Sequence, residues 1–130
     1  MGVKSVGCPT MRVLIADDNK GVRTTLRWIL KQWPNLEVCA ETANGREAVD
    51  VARALRPDLL ILDVRMPELN GIEVALILKD SLPEAKTILF TMYDDYVGKQ
   101  IAATAGVQFI LAKAEGFPGF KNAIDSILES

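Results

Sequence analysis

Residues 58–63 read Asp-Leu-Leu-Ile-Leu-Asp, and this short stretch decides the fold. Four aliphatic residues in a row leave no polar face, so a strand here must be covered on both sides, as in the middle of a parallel sheet. Pro57 precedes the run, and Pro67 and Asn70-Gly71 punctuate the loop after it, so the run is too short for a buried helix. Working outward, Met11–Ala16, Leu36–Thr42, Lys86–Thr91 and Val107–Ala112 read as four further strands. Between them the apolar residues fall at helical spacing: Val22, Leu26, Ile29, Leu30 and Trp33 over 20–33; Ala48, Val51, Ala52 and Leu55 over 45–56. Ile72, Ala75, Leu76 and Leu78 suggest a third helix, an Ala-rich stretch over 95–105 a fourth, and Phe120, Ala123, Ile124, Ile127 and Leu128 a fifth. Pro34, Pro57 and Gly106 end the first, second and fourth. Alternating strands and helices imply parallel strands joined by right-handed crossovers, an α/β fold. Residues 1–10 read as a flexible extension and 11–130 as one domain, a length at which a chain buries enough surface to fold without disulfides or metals.

Composition excludes several kinds of chemistry. The chain has no histidine, which removes Ser-His-Asp and Cys-His nucleophile systems, His-ligated zinc or haem, and phosphohistidine. Cys8 and Cys39 are too few for a disulfide framework or an all-cysteine zinc site, and they suit a reducing, cytoplasmic setting. Lys and Arg number 15 against 17 Asp and Glu, a net charge of -2, which argues against a direct grip on nucleic acid. The longest apolar runs, Leu59–Leu62 and Val74–Leu78, fall far short of the roughly 20 residues of a membrane-spanning helix.

In a parallel sheet the strands end at a common edge, and ligands bind there. The first strand is followed by Asp17 and Asp18, the third by Asp63 and the fifth by Lys113, while Thr91 closes the fourth. Glu41-Thr42 at the end of the second would lie aside if that strand is at the sheet edge. Each residue alone has an ordinary explanation: a cap or turn for the acids, a structural hydroxyl, a solvated ammonium. Together they place three carboxylates, a hydroxyl and an ammonium on one rim. Three close carboxylates repel one another, and a divalent cation relieves that repulsion. Mg2+ takes carboxylates, carbonyls and water and shares phosphate oxygens. A carboxylate beside it can attack phosphorus to form an aspartyl-phosphate.

With VLIADDN at 13–19, LLILDVRMPELNG at 59–71, ILFTMYDD at 88–95 and FILAK at 109–113, the chain resembles the receiver domain of bacterial two-component response regulators over roughly residues 12–129. TMYDD resembles the branch whose members often carry a LuxR-type DNA-binding output domain. The resemblance implies a flavodoxin-like doubly wound sheet of order 2-1-3-4-5 flanked by five helices. It implies that Asp63 is the phosphoacceptor, Asp18 a direct Mg2+ ligand, Asp17 the residue that orients a metal-bound water, and the backbone carbonyl of Arg65 a third ligand. Thr91 would hydrogen-bond the phosphoryl group and move toward it, Lys113 would pair with a phosphoryl oxygen, and Pro67 and Gly71 would shape the loop behind Asp63. The implied partners are a sensor histidine kinase or phosphotransfer protein, and a downstream protein or LuxR-type output domain outside this chain. A homodimer through the last helix or the fifth-strand face is compatible with the pattern.

Three positions depart from the family pattern: Ile110 stands where an aromatic is usual, Ala114 where Pro often follows the lysine, and Met92 where a small residue often follows the threonine. Ile is stiff at χ1 and cannot mimic a swinging ring, and Phe109 beside it points to the other face of the strand. Among alternatives, an aspartyl-nucleophile phosphatase would carry Asp-x-Asp after the first strand, and this chain carries Asp17-Asp18. A nucleotide or flavin binder is disfavoured because no GxGxxG or P-loop pattern follows that strand. A receiver-like scaffold that no longer signals is opposed by the complete acidic set. The chain is thus expected to be a phosphorylation switch that takes part in its own phosphotransfer, and not a turnover enzyme.

Overall fold

The computed structural model describes residues 10–91, 103–113 and 116–129. Five strands, β1 (Met11–Ala16), β2 (Leu36–Thr42), β3 (Leu59–Leu62), β4 (Lys86–Thr91) and β5 (Phe109–Ala112), form one sheet of order β2-β1-β3-β4-β5. Every neighbouring pair is parallel. The described residues carry four helices: α1 (Lys20–Leu30), α2 (Gly45–Leu55), α3 (Gly71–Ser81) and α4 (Phe117–Glu129). Five were expected; the remaining one, over 95–105, falls mostly outside the described residues, of which Ala103 and Thr104 are helical.

The four residues of β3 are all buried, and they alternate between two cores. Leu60 and Leu62 join Leu14, Ala16 and Leu89 beneath Ala48, Ala52, Val74 and Leu78 of α2 and α3. Leu59 and Ile61 join Val13, Ile15 and Ile88 beneath Leu26, Leu30, Phe120 and Ile124 of α1 and α4. The apolar reading of residues 59–62 on both faces therefore holds, and each such side chain contributes about 1.5–3 kcal/mol by leaving water. Along β5, Phe109 and Leu111 face the α1/α4 core, which leaves Ile110 on the opposite face, half exposed at the sheet edge.

Local chemistry sets the element ends. Asn19, Asn44 and Asn70 cap α1, α2 and α3, each side chain accepting a hydrogen bond from the backbone N–H three residues on. At Asn70 the Glu73 carboxylate reciprocates, so Asn70-Gly71 opens a helix as well as closing a loop. α1 stops at Leu30 and not at the expected Trp33: Lys31, Gln32 and Trp33 donate to the carbonyls three residues back, a tightened turn ahead of Pro34. β5 begins at Phe109 and not at Val107, because the Gln108 side chain, and not a strand carbonyl, takes the Thr87 N–H at 2.7 Å. On α3 the buried stripe is Val74, Ala75 and Leu78, while Leu76, expected inside, is 42% exposed.

Two glycines let the segment after β3 pack tightly. A Cβ on Gly45 would stand 2.0 Å from the Leu69 carbonyl oxygen, and one on Gly71 would stand 2.2 Å from that of Asp63. Gly45→Ala and Gly71→Ala are each expected to lower unfolding free energy by about 1–3 kcal/mol, the usual cost of overpacking. Urea denaturation measures this, and unchanged midpoints would show that the loop yields freely.

Candidate functional site

The register brings the rim residues together. Ala16 pairs with Leu62, so Asp17 and Asp63, the next residues on their strands, are neighbours. Both are still held by ladder hydrogen bonds: Asp63 N–H donates to Ala16 O at 2.9 Å and Asp17 N–H to Thr42 O at 3.1 Å. Thr91 pairs with Ala112, which sets Lys113 one residue beyond it. Thr91 is buried.

Asp17, Asp18 and Asp63 each offer a carboxylate oxygen, and the three oxygens lie within 4.8 Å of one another. Asp17 and Asp63 are buried, whereas Asp18 is exposed. The Lys113 ammonium donates to Asp17 Oδ2 at 2.7 Å and lies 3.5 Å from Asp63 Oδ2. Asp17 Oδ1 accepts from the Asn19 N–H at 2.9 Å. Lys113 reaches the acids past the Phe90 ring, with its nitrogen 5.8 Å from the ring centroid, and Phe90 in turn packs on Phe120. Its aliphatic stem is thereby carried along apolar surface to the charged end.

Lys113 balances only part of the negative charge. Burial, followed by the Asp17 charge, pushes the Asp63 carboxyl up from 3.8 to about 6; Lys113 opposes the rise and Asp18 adds to it. An all-oxygen set of three converging acids suits a hard divalent cation such as Mg2+. Arg65 follows in the loop after Asp63 with an exposed side chain. That loop is pinned on both sides: Gly71 N–H donates to Val64 O at 2.9 Å, and Gly45 N–H, at the start of α2, donates to Pro67 O at 3.2 Å. At Gly71 the Asp63 carbonyl leaves no room for a side chain, and Pro67 contributes its backbone carbonyl to the link with α2.

β2 is the sheet edge, and Glu41 lies aside from the acids as expected, engaged by Arg23 and Arg27 of α1. Arg23 itself escaped the sequence reading. Its Nη1 donates to the Asp17 carbonyl oxygen at 2.7 Å, and its Nε lies 3.5 Å from Glu41 Oε1. The available signal was position: an arginine in the first turns of a helix points back toward the N-terminus, here toward the acidic loop.

The model for the response regulator receiver domain matches residues 13–125. The chain belongs to that family. Among curated relatives, this receiver domain is 36% identical to the transcriptional regulatory protein LnrK of Bacillus subtilis over 85 residues, 65% of this chain and 39% of that protein. It is 30% identical to the response regulator protein VraR of Staphylococcus aureus over 115 residues, 88% of this chain and 55% of that one. The chain therefore spans about half or less of these relatives' length. Among solved structures, a LuxR-family two-component response regulator from Aurantimonas sp. SI85-9A1 is 28% identical with a TM-score of 0.84, covering 92% of this chain and 86% of that one. The response regulator domain of Thermotoga maritima CheB is 28% identical with a TM-score of 0.75, covering 92% of each.

A raised folded-state pKa on a carboxylate means that ionisation opposes folding. The Asp63 penalty is absent below the ordinary 3.8, grows as pH rises toward about 6, and is constant above it. In metal-free buffer, Asp63→Asn should therefore be more stable than the parent at pH 7, by on the order of 2 kcal/mol. The gap should close as pH falls through that window. Urea unfolding across pH measures it, and a less stable variant at pH 7 would contradict the charge reading.

Proposed function

We propose that this receiver domain accepts a phosphoryl group on Asp63 with the help of Mg2+ and passes the resulting change to a partner. The observation that carries the proposal is the convergence of three carboxylates and Lys113 at the edge of a parallel sheet. Asp18, Asp63 and the backbone carbonyl of Arg65 would hold the metal directly and Asp17 through a bound water, and the metal when bound draws charge from phosphate oxygens and lowers the repulsion met by an anionic donor. Asp63, mostly ionised at neutral pH with a value near 6, attacks phosphorus through a carboxylate oxygen while the donor keeps the electron pair of the breaking bond. Lys113, already between Asp17 and Asp63, turns an N–H toward a phosphoryl oxygen, and the Thr91 hydroxyl donates to another. No turnover enzyme is implied beyond this self-directed transfer and the hydrolysis of the aspartyl-phosphate, in which water takes the phosphoryl group as inorganic phosphate and Asp63 leaves as the carboxylate.

The donor we assign is a sensor histidine kinase or phosphotransfer protein, with small acyl phosphates as substitutes. The output would be a downstream protein or a LuxR-type domain outside this segment, as the LuxR-family neighbour and LnrK suggest by their names. Direct DNA binding is not assigned to this segment. No described helix is long and apolar enough to cross a membrane, and a cytoplasmic site of action fits the proposed kinase chemistry.

Incubation with Mg2+ and acetyl phosphate should add about 80 Da, one phosphoryl group, to the intact mass. Asp63→Asn or excess chelator should abolish the gain; a gain that persists in either would refute the assignment. Because Phe109 faces the α1/α4 core and Ile110 the opposite edge, activation should displace Thr91 without an inward rotation of an aromatic ring. Paired structures with and without beryllofluoride test this: a large rotation of Phe109 would show it wrong.

A further inference from the structure

Asp17 is held at every polar atom it has. Its N–H donates to Thr42 O, its Oδ1 accepts from Asn19 N–H, its Oδ2 accepts from Lys113, and its carbonyl accepts from Arg23 Nη1. The carbonyl bond differs from the others in its consequence. The Asp17 carbonyl and the Asp18 N–H belong to one rigid peptide plane, so the group that grips the carbonyl also sets the direction in which Asp18 leaves the backbone. Asp18 is the exposed member of the acidic trio, so its placement depends on its backbone more than on burial.

Arg23 suits this task. It lies on α1, and its side chain runs back to the loop that precedes the helix. Only 17% of its side chain is exposed, and Glu41 on the edge strand, 18% exposed, lies 3.5 Å from its Nε. A planar guanidinium can face a carboxylate with one nitrogen and a carbonyl with another, whereas an ammonium cannot hold both in a fixed plane. Glu41 also balances the positive charge, which lowers the repulsion between the guanidinium and a cation held by the acids.

We infer that Arg23, braced by Glu41, is a positioning residue for cation binding: it orients the Asp17–Asp18 peptide so that the Asp18 carboxylate meets those of Asp17 and Asp63. The inference rests on the Mg2+ reading above. Groups that orient metal ligands from behind typically account for 10–100-fold in affinity.

The test is Mg2+ titration by calorimetry on the full chain, with thermal melting in metal-free buffer as a separate readout. Arg23→Gln should weaken Mg2+ binding about tenfold, the low end of that range. Arg23→Lys, which keeps one donor for the carbonyl, should recover part of the loss. Arg23→Gln that melts lower yet binds Mg2+ as tightly as the parent would overturn the inference, since the arginine would then be merely structural. Should Arg23→Gln fail to fold, Glu41→Gln decides: weaker binding by a few-fold supports the bracing, and unchanged binding overturns it. A parent chain that takes up no Mg2+ would sink the proposed function itself, a result distinct from any of these.

Discussion

The rest of this structure is arranged around the repulsion among three carboxylates held within 4.8 Å of one another. Left in water, such groups would separate. Here two are anchored by ladder hydrogen bonds at the ends of adjacent parallel strands, and the third hangs from the next peptide. Lys113 offsets part of the charge from the far side of the sheet, and burial keeps the remainder poorly screened. The site therefore stores an electrostatic cost that a divalent cation or a proton on Asp63 can relieve. That cost is the physical basis for expecting both metal dependence and reactivity at one residue.

The cost is sustained by the packing beneath it. β3 drives two cores at once, with alternate residues under α2/α3 and under α1/α4. Asp63 follows the last of these residues and cannot retreat from Asp17 without disturbing either core. The loop behind it is equally constrained, since Gly45 and Gly71 bring backbone so close that no side chain fits. Lys113 is linked to the α4 side through Phe90 and Phe120.

The strands and the acidic set were legible because both follow from local rules. Continuous apolar runs mark a covered parallel sheet, and residues just past such runs must share an edge. Asn70-Gly71 reads as loop punctuation, and its capping role emerged only with the helix that it opens. What was not legible depended on distant neighbours. Leu76 looks like core by composition, yet the small Ala75 and β-branched Val74 take the buried stripe where α3 meets the sheet. The start of β5 turned on one side-chain amide at Gln108, and the end of α1 on a tightened turn before Pro34. Arg23 on an amphipathic helix reads as a solvated charge until the edge strand supplies Glu41 and the loop supplies a carbonyl.

The central claim is that the acidic cluster carries a charge cost that Mg2+ relieves. Urea unfolding of the parent chain and of Asp18→Asn, in MgCl2 and in KCl of equal ionic strength, tests it most directly. Mg2+ at 100 times its dissociation constant should raise the parent's unfolding free energy by about 2.7 kcal/mol, with most of that gain lost in Asp18→Asn. Superimposable unfolding curves for the parent in the two salts would contradict the account.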